Sequence, residues 1–225
     1  MERPKDLVKF LEPTLFIDAD HESIRDAVAA LEMSSDPLRA RAVKMFGFVR
    51  DRIRYNPFSS MFNKGDYLAS EILARGYGYC VQKAVLLAAL SRCAGIPCRL
   101  CFADIRNFQV PGDLLEIMGT DIFTYHGYVA FYLDGDWVKA TPAFDLAMCE
   151  KHGFVPVEFD GKSDAVLHPS DSQGNKHIEY VRDIGTYADL PFDDIVAAFK
   201  ELYLKDNTGL SGFWENPDKI DPKPD

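Results

Sequence analysis

From Cys80 to Leu90 the chain reads Cys-Val-Gln-Lys-Ala-Val-Leu-Leu-Ala-Ala-Leu, apolar almost all round at helical spacing. A helix without a polar face cannot lie on a surface; it has to run through the middle of a domain and be covered on every side. The segment is sharply bounded. Arg75-Gly76-Tyr77-Gly78-Tyr79 ends the helix before it, and Ala94-Gly95-Ile96-Pro97 is a stop signal after it. The rest of the chain must form a shell around this rod, and 225 residues with 47% apolar composition can do so as one large domain or two small ones.

The N-terminal part of that shell has helical spacing. Asp20 is placed to cap a helix over about His21 to Met33, with Ile24, Val28 and Leu31 on one face. Asp36-Pro37 gives a second start, and Leu38, Ala42, Phe46, Val49 and Ile53 keep the period until Tyr55-Asn56-Pro57. A short helix over Ala69 to Ala74 closes at Arg75-Gly76. After Pro97 the period changes. Cys98 to Ile105 and Tyr125 to Leu133 read as strands, and Asp134-Gly135 turns the chain into a further strand over Trp137 to Ala140. Arg106 to Thr124 reads as a long loop whose apolar residues (Leu114, Leu115, Ile117, Met118) are expected to border a cleft. A helix near Leu146 to Lys151, strands near Val155 to Phe159 and His177 to Asp183, and a helix over Phe192 to Tyr203 complete the pattern. Helices followed by antiparallel strands define an α+β protein. We expect one domain over residues 1–204, helical to about 95 and sheet-forming from about 96. A tail over 205–225 should be extended or disordered, with Phe213 and Trp214 able to anchor it.

Charge and cysteine content exclude several classes. A net charge of −10 argues against a nucleic-acid surface, and no apolar run approaches the roughly 20 residues of a membrane span. The N-terminus lacks the apolar core of a secretory leader. Five cysteines cannot all pair within the chain, so reduced thiols and a cytoplasmic setting are expected.

Cys80 falls where two glycines end and the buried helix begins. Unpaired N–H groups and the helix dipole favour a thiolate there, while Gly76 and Gly78 leave room for a substrate backbone. The alternative is a small buried hydrophobe, the common fate of a lone thiol. Downstream, His126 opens a strand, and Thr141 and Asp145 follow the next one. A cysteine at a helix start, a histidine on a strand and a polar residue beyond the next strand is a papain-type order of parts. In it the imidazole takes the thiol proton, and the third residue orients the ring.

These elements together resemble the bacterial transglutaminase-like superfamily. They are Gly76-Tyr77-Gly78-Tyr79-Cys80, the Ala94-Gly95-Ile96-Pro97-Cys98-Arg99 element, His126 and Trp137, within about Asp36 to Asp145. The resemblance implies a papain/transglutaminase-like core, with N-terminal helices packed on an antiparallel sheet, Cys80 as nucleophile and His126 as base. It implies neither metal nor cofactor, and a peptide or protein amide as substrate. Amide or peptide hydrolysis is the expected reaction, with transglutaminase activity beside it. In this family an Asp-Pro commonly follows the hairpin tryptophan; here Thr141-Pro142 fills that slot. Threonine can accept a hydrogen bond from imidazole but cannot offset its charge. Asp145 is therefore the expected third member, with Thr141 as the alternative. The threonine also supports a rival reading, a non-catalytic protein-binding module on the same scaffold.

Other features have plainer readings. Cys98 and Cys101 lie three apart on a strand, which puts their side chains on opposite faces and disfavours a metal knuckle. Tyr77 and Tyr79 can line the cleft beside Cys80, and Tyr128 and Trp137 read as core or cleft wall. His152, His168 and His177 sit among polar neighbours and read as solvated, and Asp51 to Arg54 as an exposed helix end.

Overall fold

The computed structural model describes residues 4–110 and 112–203. Its helices are α1 (Pro4–Leu7), α2 (Glu22–Ala30), α3 (Leu38–Arg52), α4 (Ala69–Arg75), α5 (Cys80–Cys93), α6 (Gly112–Met118), α7 (Leu146–His152) and α8 (Phe192–Tyr203). The strands are β1 (Arg54–Tyr55), β2 (Tyr77–Gly78), β3 (Cys98–Asn107), β4 (Ile122–Leu133), β5 (Asp136–Ala140) and β6 (Ile178–Tyr187). β1 and β2 form a short parallel pair, and the other four make an antiparallel sheet in the order β5-β4-β3-β6. The protein is α+β, helices against an antiparallel sheet. The expectation for residues 205–225 lies outside the described residues. Among those described, no helix is long and apolar enough to cross a membrane.

The buried rod spans Cys80–Cys93 as its sequence requires, and every side chain from Val81 to Leu90 is inaccessible to solvent. Its few polar residues are buried with it; Ser91 Oγ bonds back to Leu87 O within the helix, and the other three are spent on backbone carbonyls of the surrounding shell. Gln82 Nε2 donates to Ser60 O and Asp66 O at 3.1 and 3.2 Å. Lys83 Nζ donates to Arg50 O and Ile53 O at 3.0 and 2.6 Å, where α3 ends. Arg92 reaches Cys98 O, Glu12 O and Ala188 O. Polar groups on a core helix thus act as tethers that fix its azimuth, a task that apolar packing alone does loosely.

Against the sheet, α5 meets β4 at Gly127. A Cβ there would lie 2.7 Å from Val81 Cα, so only a glycine lets the strand come this close to the first turn of α5. The same face carries Val129 and Phe131 into the main core, while Tyr128 and Ala130 face the other side. Cys98 and Cys101 fall on these two opposite faces, as their spacing requires.

Several expectations need correction. Helix α2 is capped by His21 rather than Asp20: the His21 Nδ1 accepts from Ser23 N–H, and the helix stops at Ala30. Pro37, with extended ψ, occupies the cap of α3, one residue beyond the expected start. The long loop is partly ordered as α6, and the flanking strands run further into it, to Asn107 and from Ile122. Residues 155–159 form no strand; Val157 and Phe159 are buried as irregular chain, and Arg50 Nη1 donates to Val157 O at 2.7 Å.

Replacing Gly127 with alanine sets a methyl group against backbone that cannot move aside, so we expect a loss of about 1–3 kcal/mol from overpacking. Gly47 of α3 has open space where its Cβ would point, so Gly47→Ala should be neutral or gain up to about 1 kcal/mol from helix propensity. Urea denaturation of both variants checks the contrast.

Candidate active site

The close approach at Gly127 gathers backbone donors around one atom. The backbone N–H groups of Gly127, Val81 and Cys80 itself act to lower the pKa of the Cys80 thiol. They favour a thiolate, as the helix start leads one to expect. Burial opposes them and wins: the Cys80 thiol is pushed up to about 11. At rest the residue is a neutral thiol surrounded by the donors that a thiolate would need.

His126 is aimed by an irregularity in β4. Ala103 pairs with His126 and Ile105 with Phe123, so Asp104 of β3 stands opposite both Thr124 and Tyr125. This bulge places Tyr125 at φ 54, in the left-handed region that a tyrosine rarely adopts. The Asp104 carboxylate holds it there, accepting from Thr124 Oγ1 at 2.7 Å and Tyr125 N at 3.3 Å. Its other oxygen accepts from Arg182 at 2.8 Å. The strand resumes at His126 with the ring packed on Tyr128 and Tyr180.

The imidazole Nε2 lies 3.3 Å from Thr141 Oγ1, both groups being buried. A neutral ring that donates from Nε2 to the threonine keeps Nδ1 as its basic nitrogen. Among the described residues no charged neighbour supports the imidazolium, and burial pushes the ring down to about 3. Cys80 and His126 line one cavity of about 940 Å³.

Asp145 lines that cavity too, but its carboxylate is engaged elsewhere. One oxygen accepts from Met148 N at 2.8 Å, capping α7, and the other from Tyr55 N at 2.8 Å. The geometry therefore brings Thr141, not Asp145, to His126. The reason is local: Asp145 precedes Leu146 at a helix start, where an acidic side chain folds back onto the N–H groups of the first turn. Its charge acts instead as the largest support for the buried Lys83 ammonium, which desolvation drives down to about 7.

The remaining sequence candidates separate clearly. Tyr77 lines the cavity, whereas Tyr79 is buried behind it with its hydroxyl 2.6 Å from that of Tyr67. Trp137 packs on Phe10, Tyr132 and the Arg99 guanidinium, away from the cavity lining. Of the expected cleft loop, the stems border the cavity through Asn107, Gln109 and Phe123. His177 is not solvated. It is 2% exposed, stacked on Phe154 at 4.0 Å and on Phe144 at 5.9 Å, with its Nε2 unpartnered. Its polar sequence neighbours concealed this, because burial comes from long-range pairing, Phe108 N–H to His177 O and His177 N–H to Pro169 O. Phe144 and Phe154, which sequence reasoning did not single out, form the cavity wall; adjacency of Phe144 to Asp145 was the one available signal.

The family model of the transglutaminase-like superfamily matches residues 25–142, and the chain belongs to that family. Among solved structures, it is similar to a proposed cysteine protease from Cytophaga hutchinsonii. The TM-score is 0.52 at 17% identity, over 84% of this chain and 49% of that one. The chain thus spans about half that protein's length, and at this identity the likeness is one of fold. A proposed protease from Parabacteroides distasonis aligns more loosely, with TM-score 0.38 at 14% identity, over 56% of this chain and 25% of that one. No curated protein matches the sequence.

The two buried histidines give a signed pH dependence. The unfolded chain binds protons near 6.5, whereas folded His177 and His126 do so only at about 4 and about 3. Stability therefore falls as pH drops from about 6.5 towards those values. His177→Phe fills the same aromatic slot without the unpartnered nitrogen. The variant's melting temperature should equal or exceed the parent's at pH 7, and its advantage should widen by pH 5. A constant gap across that range would show that His177 is not buried in neutral form.

Proposed function

We propose that the protein is a cysteine acyl-transfer enzyme acting on amides or peptides, with Cys80 as nucleophile, His126 as general base and Thr141 as the residue that orients the ring. The observation that carries this reading is that Cys80, the first residue of α5, lines the same cavity as a His126 whose Nε2 lies 3.3 Å from Thr141 Oγ1. Asp145 takes a supporting place, as a cap and brace.

In the proposed reaction the Cys80 S–H proton passes to His126 Nδ1 as sulfur bonds to the carbonyl carbon and the carbonyl oxygen takes the negative charge. Backbone N–H groups at the start of α5 stabilise that oxyanion. The C–N bond then breaks, and the departing amine takes the proton from His126, leaving a thioester. Water attacks the thioester carbon and gives His126 a proton; the C–S bond breaks, releasing the acid and restoring the thiol. An amine in place of water would give transamidation. The neutral resting pair means that proton transfer accompanies attack rather than preceding it, unlike a preformed ion pair. The five free thiols fit a reducing, cytoplasmic setting.

A second reading, a binding module, is favoured by the same burial that suppresses the thiolate. An activated ester distinguishes the two. With p-nitrophenyl acetate, intact-mass measurement should record one acetyl adduct, mapped to Cys80, and none on Cys80→Ala. His126→Ala should slow acylation by about 10²-fold or more, in the range of general-base catalysis. Thr141→Val should slow it by about tenfold through loss of ring orientation. Asp145→Asn should destabilise the fold by about 1–3 kcal/mol, because the amide turns a donor on one of its two N–H partners, while acylation per folded molecule changes little. Without substrate, iodoacetamide alkylation of Cys80 should climb steadily with pH towards about 11, with no plateau near neutrality. Absence of the acetyl adduct in a folded protein would favour the binding module.

A further inference from the structure

Resting on the acyl-transfer reading for its placement, a more specific inference concerns what the cavity admits. We infer that it takes a peptide segment with an aromatic or bulky aliphatic side chain flanked by carboxylates.

The walls come from segments far apart in sequence and are largely apolar: Tyr55, Ile105, Phe123, Phe144, Phe154 and Ile178. Part of this wall is an aromatic ladder. Tyr55 meets Phe144 edge-on at 5.0 Å, Phe144 meets Phe154 at 5.5 Å, and His152 stacks on Phe154 at 5.5 Å. Such a surface offers offset and edge-on seats to a further ring. Its volume of about 940 Å³ is at the upper end of ordinary ligand pockets, roughly 300–1,000 Å³, so it holds several residues rather than one side chain.

The polar groups on the lining divide unequally. The amide side chains are occupied within the protein: Asn56 Oδ1 accepts from Phe58 N, Asn107 Oδ1 from Gln109 N, and Gln109 Nε2 donates to Asp171 and to Lys176 O. The carboxylates are occupied as well. Asp51 is bound by Arg50 Nε and Nη2, each at 2.9 Å, and Asp145 by two backbone N–H groups. By contrast, Arg54 and Lys151 are exposed on the lining and have no ion-pair partner among the described residues. Two uncommitted cations on one cavity stand out in a chain of net charge −10. Their field favours acidic groups and steers them in from solvent.

The test uses the full chain carrying Cys80→Ala, so that binding is read without turnover. Acetyl-Glu-Phe-Glu-amide, acetyl-Lys-Phe-Lys-amide and acetyl-Glu-Ser-Glu-amide are titrated by calorimetry at low and moderate salt. The aromatic acidic peptide should bind at least about tenfold tighter than either control, with affinity falling as salt rises. Lys151→Glu, a surface change outside the reacting groups, should erase the preference for acidic over basic flanks. Ala147→Trp, at an exposed position on the lining, should obstruct all binding. Equal binding of the basic peptide overturns the charge assignment, equal binding of the serine peptide overturns the apolar one, and no binding at all overturns both. These outcomes are independent of acetyl-adduct formation on the parent protein. A selective Cys80→Ala variant beside an inert parent would remove the enzyme and keep the specificity.

Discussion

The contact between Gly127 and Val81 is the constraint on which the site depends. It brings the central strand of the sheet within backbone distance of the first turn of the buried helix. Three consequences follow from one missing side chain. The N–H of Gly127 acts on the Cys80 thiol, the neighbouring His126 is carried to the same cavity as Cys80, and the apolar rod packs directly on the sheet. The bulge at Tyr125 works with this contact. Close packing fixes where the strand lies, while the bulge fixes which way it faces after Thr124. A strained tyrosine held by an aspartate is the kind of local cost that persists where the surroundings over-determine it.

Electrostatically, burial outweighs polarisation here. Backbone N–H groups act to lower the pKa of a thiol that burial nevertheless keeps protonated, and burial keeps the His126 ring neutral as well. An aspartate in the Thr141 slot would add a charge to support the imidazolium; the threonine supplies direction only. The acid group nearby has not been lost so much as reassigned. Asp145 links the chain after β5 to β1 and counters the charge of Lys83.

Sequence patterns disclosed what depends on local spacing. The apolar run Cys80–Leu90, the stop at Gly95-Ile96-Pro97 and the Asp134-Gly135 turn each carry their structure in a few adjacent residues. The position of Cys80 at a helix start was legible for the same reason, whereas the strand carrying His126 begins earlier than its pattern suggested, at Ile122, and the bulge before His126 left no local signal. The place of Asp145 was not legible, because the choice between orienting a histidine and capping a helix is decided by where Tyr55 N–H lies, ninety residues away in the chain. The burial of His177 and the irregular path of Val157 and Phe159 likewise follow from distant partners. Helix α6 was hidden by its setting: seven residues between Pro111 and Gly119, too short for a clear period.

Lys83 has a bearing on how the molecule comes apart. Helix starts ordinarily fray first, opening in fluctuations far smaller than global unfolding. Here the first turn of α5 carries an ammonium bound to two carbonyls at the end of α3, and freeing that turn would strand the donor and both acceptors together. The turn that bears the thiol is thus joined to α3 in a single cooperative unit. Its amides share the protection of the interior rather than that of a helix terminus, and Cys80 is held in place by the same tether that holds the end of α3.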